Sequence, residues 1–371
     1  MVPSQLEKLG DRGAVSEREV FTPGTGRPSR EIITEEPYNA EAPLHALQLA
    51  QTPARHFFVR SHFDVPVRPH QDWRIRVDGV VDRPFELSID ELRALPARAL
   101  GMTLECAGND RLGFAPLPPG EPWGLGGVST GRWRGVALCH ILAHAGLSPR
   151  TVDLVFEGAD RGRLGKHAGS TPFARSLPLA TAMDPDTLLA YELNGEPLHL
   201  EHGAPVRLLV PDWYGMASVK WLVRITALEQ PFEGPFQTER YVLERRGASE
   251  VEPLRRIRVK SRITTPANRE RLGLGRHRIA GLAWSGHGAI TRVEVSTDDG
   301  GDWHAARLVG RRDDHAWQPW EYEWQATRPE RHVLRVRAFD EQGNTQPDLP
   351  EWNRHGYANN AIQAVVVEVE E

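Results

Sequence analysis

Cys106 lies in Thr103-Leu-Glu-Cys-Ala-Gly-Asn-Asp-Arg111, between an apolar run and a Gly-Asn turn, with an arginine five residues on. A thiol so placed is set to become a thiolate beside a cationic pocket, which suits a soft metal or a nucleophile. A lone cysteine is more often a small buried hydrophobe. Cys139, among Val136, Leu138, Ile141 and Leu142, reads as that ordinary case. His140 and His144 have the i, i+4 spacing that can put two imidazoles on one helix face, but no third ligand follows nearby, so they read as a partly exposed face.

Two further segments could do chemistry. Phe57-Phe-Val-Arg-Ser-His62, followed by Val65-Pro66, reads as an aromatic strand ending in Arg60 and His62, for which a surface ion pair would be explanation enough. The other runs from Met183 to Trp221 and carries His199, His202-Gly203, Arg207 and Gly215-Met-Ala-Ser-Val-Lys220. Convergent arginine, lysine, hydroxyl and amide donors suit anionic oxygens such as those of a phosphate. Lysine occurs only at positions 8, 166, 220 and 260, so nearly all of the 45 basic residues are arginine. A single arginine is therefore weak evidence of function, whereas Lys220 stands out.

Together these segments resemble the sulfite oxidase family, in order and spacing, over roughly residues 36 to 370. The resemblance makes Cys106 the thiolate ligand of molybdenum in a molybdopterin cofactor, one per chain. It assigns Phe58, Val59, Arg60, Ser61, His62, Asp160, His202, Arg207, Ser218, Val219 and Lys220 to cofactor binding. Arg60, Arg111 and Arg354 become the cations facing a small oxyanion substrate, with Trp123 and Tyr241 completing the wall. At about 4 Å and an effective dielectric near 20, each such cation contributes on the order of 4 kcal/mol before desolvation. The chain departs from the family at Ser61, where asparagine is usual, and at Asp110, where sulfite oxidases commonly have a second arginine. Either Asp110 faces away from the anion pocket or the substrate is not simply sulfite.

The elements that must hold these residues fall into three stretches. Residues 1–50 are polar, with turn chemistry at Gly24-Thr-Gly-Arg-Pro28, and read as an extended arm rather than a core element. Residues 51–250 alternate short strands and helices: a strand over Trp73–Val81, a capping box at Ser88-Ile-Asp-Glu91 opening a helix that Pro96 ends, a helix over Gly135–Ala145 stopped by Gly146, and strands over Val206–Val210 and Val219–Ile225. Residues 251–371 hold short strands with no helix: Ile257–Ile263, His277–Leu282, Thr291–Ser296, Glu321–Gln325, Val333–Phe339 and Ala361–Glu368. Hairpin-type turns are expected at Asp299–Asp302 and Asp340–Asn344. The expected fold is thus α+β: a mixed molybdopterin domain followed by an all-β immunoglobulin-like sandwich, which the resemblance makes a homodimerisation domain.

A length of 371 residues with 40% hydrophobic content supports two or three cored domains, and a net charge of -5 gives no overall attraction for nucleic acid or an anionic membrane. No apolar run reaches the roughly 18 residues of a membrane span, and the N-terminus shows neither an apolar signal core nor a twin-arginine segment. The chain reads as cytoplasmic, or periplasmic if a leader has been removed, with no disulfide in the former case. Two cysteines and no Cys-x-x-Cys-His leave no iron–sulfur cluster and no attached haem in this sequence. The resemblance therefore implies oxidation of sulfite to sulfate, with electrons passed to an external acceptor, a cytochrome or oxygen. A reductase of an oxyanion or sulfoxide, a non-enzymatic cofactor carrier, and a cysteine hydrolase using His62 or His202 as base are the alternatives.

Overall fold

Alternating buried and exposed positions mark several of this chain's strands, such as Arg331–Asp340 and Gln363–Glu370. The structure, a computed structural model, describes residues 30–165, 167, 169–245 and 251–371. It opens with a hairpin of β1 (Glu31–Thr34) and β2 (Asn39–Glu41). There follow β3 (Arg74–Gly79), β4 (Phe85–Ser88), α1 (Ile89–Ala94), β5 (Ala97–Glu105), β6 (Val128–Ala137) and α2 (Leu138–Ala145). Then come β7 (Asp153–Gly162), β8 (Thr171–Pro178), β9 (Leu188–Leu193), β10 (Glu196–Pro197), β11 (Arg207–Leu209) and β12 (Leu222–Leu228). One sheet has the order β4-β3-β12-β7-β8, with β12 parallel to β3; the other runs β10-β9-β6-β5, with β11 also paired to β9.

Local chemistry explains the boundaries. Ser88 caps α1 as expected: its hydroxyl accepts from the Glu91 amide, and the Glu91 carboxylate accepts from the Ser88 amide. The helix expected from Gly135 begins only at Leu138, because Gly135 belongs to β6, where a Cβ would stand 2.3 Å from the Leu189 carbonyl oxygen of β9. Only glycine permits that approach. The strand expected from Val219 begins at Leu222. Residues Ser218 to Trp221 are irregular, with Trp221 at φ 51°, and this leaves Ser218 and Lys220 free of the sheet. The early segment also differs from a surface arm, since Asn39 to Ala42, Ala46 and Leu47 are buried and Ala40 forms a two-bond bridge with Val59. Residues 1–29, with their Gly-Pro punctuation, lie outside the described residues.

After the small hairpin of β13 (Val242–Leu243) and β14 (Glu252–Pro253), the chain becomes a sandwich. Its strands are β15 (Lys260–Thr265), β16 (Glu270–Gly273), β17 (Gly275–Trp284), β18 (Ile290–Ser296), β19 (His304–Ala305), β20 (Arg307–Leu308), β21 (Gln318–Ala326), β22 (Arg331–Asp340) and β23 (Gln363–Glu370). The sheets β15-β17-β21-β20 and β16-β23-β22-β18-β19 pack through Ile279, Val293, Val295, Trp320, Val336 and Val367. All six expected strands are present; β16, β19 and β20 are too short to carry a period. The Asp299–Asp302 turn joins β18 to β19 as a hairpin. The Asp340–Asn344 turn closes only one bridge, Phe339 to Thr345, because Asp340 takes the amides of Gln342 and Asn344 itself.

The sandwich reaches back to the loop after β5. Lys260 of β15 lies 3.4 Å from Glu105 Oε1 and 3.9 Å from Asp110 Oδ2, and Arg262 lies 2.5 Å from Asp110 Oδ2. Trp284 Nε1 donates to Glu105 Oε2 at 2.8 Å, and the amides of Ala358 and the Asn359 side chain donate to the carbonyls of Ala107 and Asp110. The two carboxylates that bracket Cys106 are thus held by cations from another sheet. Lys260 and Glu105 are 1% and 2% exposed, and burial together with Arg262 lowers the lysine pKa. Removing one partner of a buried ion network costs about 3–5 kcal/mol, because the other charges stay buried. Lys260→Met should therefore lower the urea stability of the protein by that amount, and a loss below about 1 kcal/mol would show that the network is not structural.

Candidate active site

The Cys106 loop, the Phe57–His62 segment and the Leu198–Trp221 stretch meet around a cavity of two chambers. The inner one encloses about 680 Å³ of empty space and the outer about 1020 Å³, each including its open side. Cys106, Arg60 and Tyr241 line both and mark the junction. The strand β5 delivers Cys106 to this point, and its amide donates to Gly127 O at 2.8 Å. The thiol is free and buried; burial raises its pKa against the opposing pull of Arg60, the Gly108 amide and Arg111.

The inner chamber is cationic. Arg207, from β11, donates to the carbonyls of His202 at 3.0 Å and Ser218 at 2.9 Å, and its Nε is buried without a partner. Burial pushes its pKa down to about 9. Lys220 donates to Ser61 Oγ and Glu201 O, each at 2.8 Å; burial and Arg207 hold it well below the usual lysine range. Asp160 also faces this chamber, with Oδ1 unpartnered and burial raising its carboxyl to about 7 against the pull of Lys220. The acceptors around Arg207 and Lys220 are neutral, so they orient the charges without cancelling them. Buried charge left in that state is costly, and an anionic ligand would relieve it. These residues therefore fit a phosphate-bearing pterin.

Phe58, Val59, Ser61, His62, His202 and Ser218 line the same chamber. His202 contacts Arg30 and the Ala54 carbonyl, each at 3.2 Å, whereas His62 Nε2 lies 2.5 Å from the Tyr241 hydroxyl and its ring stacks on Phe173. Burial lowers both imidazole pKa values, helped at His62 by Arg60 and at His202 by Arg30. With both rings engaged elsewhere, neither stands as a base for Cys106. Val219 lines neither chamber; its side chain is in the core.

The outer chamber contains Arg111, Trp123 and Arg354 beside the junction residues. Arg111 is buried, donates to the carbonyls of His355 at 3.1 Å and Glu121 at 2.6 Å, and lies over the Tyr357 ring. Arg60 bonds Asn39 Oδ1, the Ser61 carbonyl and the His62 ring. Arg354, expected to complete the anion site, instead sits on the rim, 66% exposed and 3.2 Å from Glu244. Its long side chain reaches an acidic partner outside the chamber. Asp110 lines neither chamber and is turned toward Arg262, so this departure from the family pattern is a structural pairing.

Several residues at the site carried no sequence signal. Asn39 accepts from the Ser61 amide and from Arg60, and Glu41, raised to about 8 chiefly by burial, takes the amides of Gly124 and Gly126 beside Trp123. Both come from the stretch that read as an arm. Tyr357 stacks on Tyr241 at 5.3 Å, and Arg175 lies 5.7 Å over the other ring partner, Tyr241 itself. Arg240 adjoins the nominated Tyr241, and Tyr357 lies three residues after the nominated Arg354. His144 packs on Phe85, Cys139 is half-buried, and no cluster of three metal-ligating side chains occurs among the described residues.

Comparison with known proteins identifies the family. The family model of the oxidoreductase molybdopterin binding domain matches residues 62–236, and that of the Mo-co oxidoreductase dimerisation domain matches residues 252–370. The mitochondrial sulfite oxidase of Mus musculus is 35% identical over 92% of this chain, which spans 66% of that relative's length. A nitrate reductase of Phaseolus vulgaris is 35% identical over 87% of this chain and 40% of its own. The crystal structure of the sulfane dehydrogenase SoxCD from Paracoccus pantotrophus superposes with a TM-score of 0.79 at 31% identity, covering 100% of this chain and 93% of that one. With both family models matched in order and the whole chain following a relative's fold, the chain belongs to the sulfite oxidase family of molybdopterin oxidoreductases.

Proposed function

We propose that this protein oxidises sulfite to sulfate at a molybdenum cofactor and passes the electrons to an external acceptor, a cytochrome or oxygen. The carrying observation is the placement of one buried thiol, Cys106, at the junction between a cationic inner chamber and a cation-lined mouth. When bound, the cofactor supplies oxygen-atom transfer coupled to a two-electron change. Cys106 would be the protein's ligand to the metal, while Arg207, Lys220 and Ser218 with His202 would hold the pterin and its phosphate. Arg60 and Arg111, oriented by neutral acceptors, draw the oxyanion in. Burial raises the Tyr241 pKa above its usual value, so its hydroxyl stays protonated and can donate to the bound anion. Trp123, fully buried, walls the approach and keeps water out.

A reductase of an oxyanion such as nitrate is the second reading, favoured by the nitrate reductase relative. Charge argues for sulfite: it can carry two negative charges to nitrate's one, and so uses more of the cationic mouth. A mere cofactor carrier has no need of substrate cations. Homodimerisation through the sandwich rests on the second family model.

The reaction is tested on cofactor-loaded protein by sulfite-dependent reduction of ferricyanide against nitrate reduction with a reduced dye; turnover of nitrate alone would reverse the reading. Cys106→Ser should abolish turnover with the fold intact, and Cys139→Ser should leave activity within about twofold; equal losses would remove Cys106 from its role. Arg207→Met should reduce pterin content by about tenfold while cofactor-free protein keeps its stability to within about 1 kcal/mol, since an unpaired buried charge is lost along with two hydrogen bonds. Full pterin content in that variant would contradict the assignment of the inner chamber.

A further inference from the structure

Arg240 follows the one-turn helix Pro235–Thr238, and its backbone amide donates to Pro235 O at 3.0 Å. It immediately precedes Tyr241, whose φ of 55° turns the chain so that both residues line the outer chamber. Among the described residues its guanidinium has no hydrogen bond or ion pair. The other arginines of the mouth are committed. Arg60 and Arg111 are oriented by neutral acceptors close to Cys106, and Arg354 is paired with Glu244 on the rim.

We propose that Arg240 is the third cation of the substrate site, completing with Arg60 and Arg111 the charge that receives the oxyanion, while Arg354 serves only at the rim. The assignment rests on the reading of the outer chamber as an oxyanion site. The charge of Arg240 is felt inside the cavity: it adds to the burial that lowers the pKa values of His62 and His355, and it opposes the rise that burial gives the Tyr357 hydroxyl. Two carboxylates share the wall. Glu239 is engaged with His167 at 3.0 Å, and Glu121 forms no ion pair with Arg240. An arginine without a partner, beside a pocket whose remaining cations are already held in place, is free to swing onto an entering anion and close a charge-assisted contact. That freedom makes it a specificity element, because a doubly charged oxyanion gains more from a third cation than a singly charged one does.

The test uses the cofactor-loaded enzyme and the variants Arg240→Met, Arg240→Lys and Arg354→Met, with sulfite kinetics and calorimetric binding of sulfate as separate readouts. Arg240→Met should raise KM for sulfite about tenfold with kcat changed much less, and weaken sulfate by a similar factor. Arg240→Lys should restore most of both, and Arg354→Met should shift either by less than about threefold. Because the Arg240 side chain makes no bond in the fold, molybdenum content should be the same in all three. Sulfate affinity unchanged in Arg240→Met, or a larger loss in Arg354→Met, would overturn the proposal. If the wild type binds sulfate but does not oxidise sulfite, the reaction reading fails and sulfate affinity alone decides the role of Arg240. If the wild type binds no sulfate, Arg240 has no anion to receive and the proposal falls.

Discussion

Two carboxylates bracket the one thiol at the centre of this protein, and both are held by cations from a different sheet. Glu105 meets Lys260 and Trp284, and Asp110 meets Arg262 and Lys260, all within a buried network. The loop between them has a left-handed residue at Asp110, φ 66°, and local bonds shape its turn, from the Asn109 amide to Cys106 O and from the Asn109 side chain to Glu105. The sandwich anchors its two carboxylates. Lost conformational freedom in the loop is offset by contacts from β15, β17 and the His355–Asn359 stretch, which also carries the Arg111 support at His355. The second sheet pair therefore helps to shape the active site, although among the described residues those of it that line a chamber, Arg354, His355 and Tyr357, come from one loop.

The same logic of positioning without neutralising runs through the cavity. Arg207, Lys220 and Arg111 are each aimed by carbonyl or hydroxyl acceptors, which leave the charge in force. In a low-dielectric site such charges act strongly, and they need no reorganisation when a ligand arrives. The protein bears the cost in buried, unpaired donors and in left-handed backbone at Asp110, Trp221, Tyr241 and Ala358, each beside a site residue.

Much of this was readable from residue order. The capping box at Ser88 and the six sandwich strands fall where local chemistry put them, because those signals depend on near neighbours, and most of the nominated residues line the two chambers. Val219 failed for a simple reason: it alternates with Ser218 and Lys220, so when they face the chamber it faces the core. What could not be read depends on distant partners. The sequence left open whether Asp110 faced the anion pocket or turned away, and Arg262, 152 residues on, is the partner that turns it away. Arg354 looked like a substrate cation until Glu244 took it. Asn39 and Glu41 lay in a polar stretch without periodicity, and only the β1–β2 hairpin brings them under Arg60 and the Gly124–Gly127 turn.

Cys106 as the protein's single ligand to the metal is the point on which the proposed function turns. X-ray absorption at the molybdenum edge, comparing the loaded wild type with loaded Cys106→Ser, counts sulfur ligands directly. Three sulfurs are expected in the wild type, two from the pterin and one from the protein, and two in the variant. An unchanged sulfur shell would contradict it.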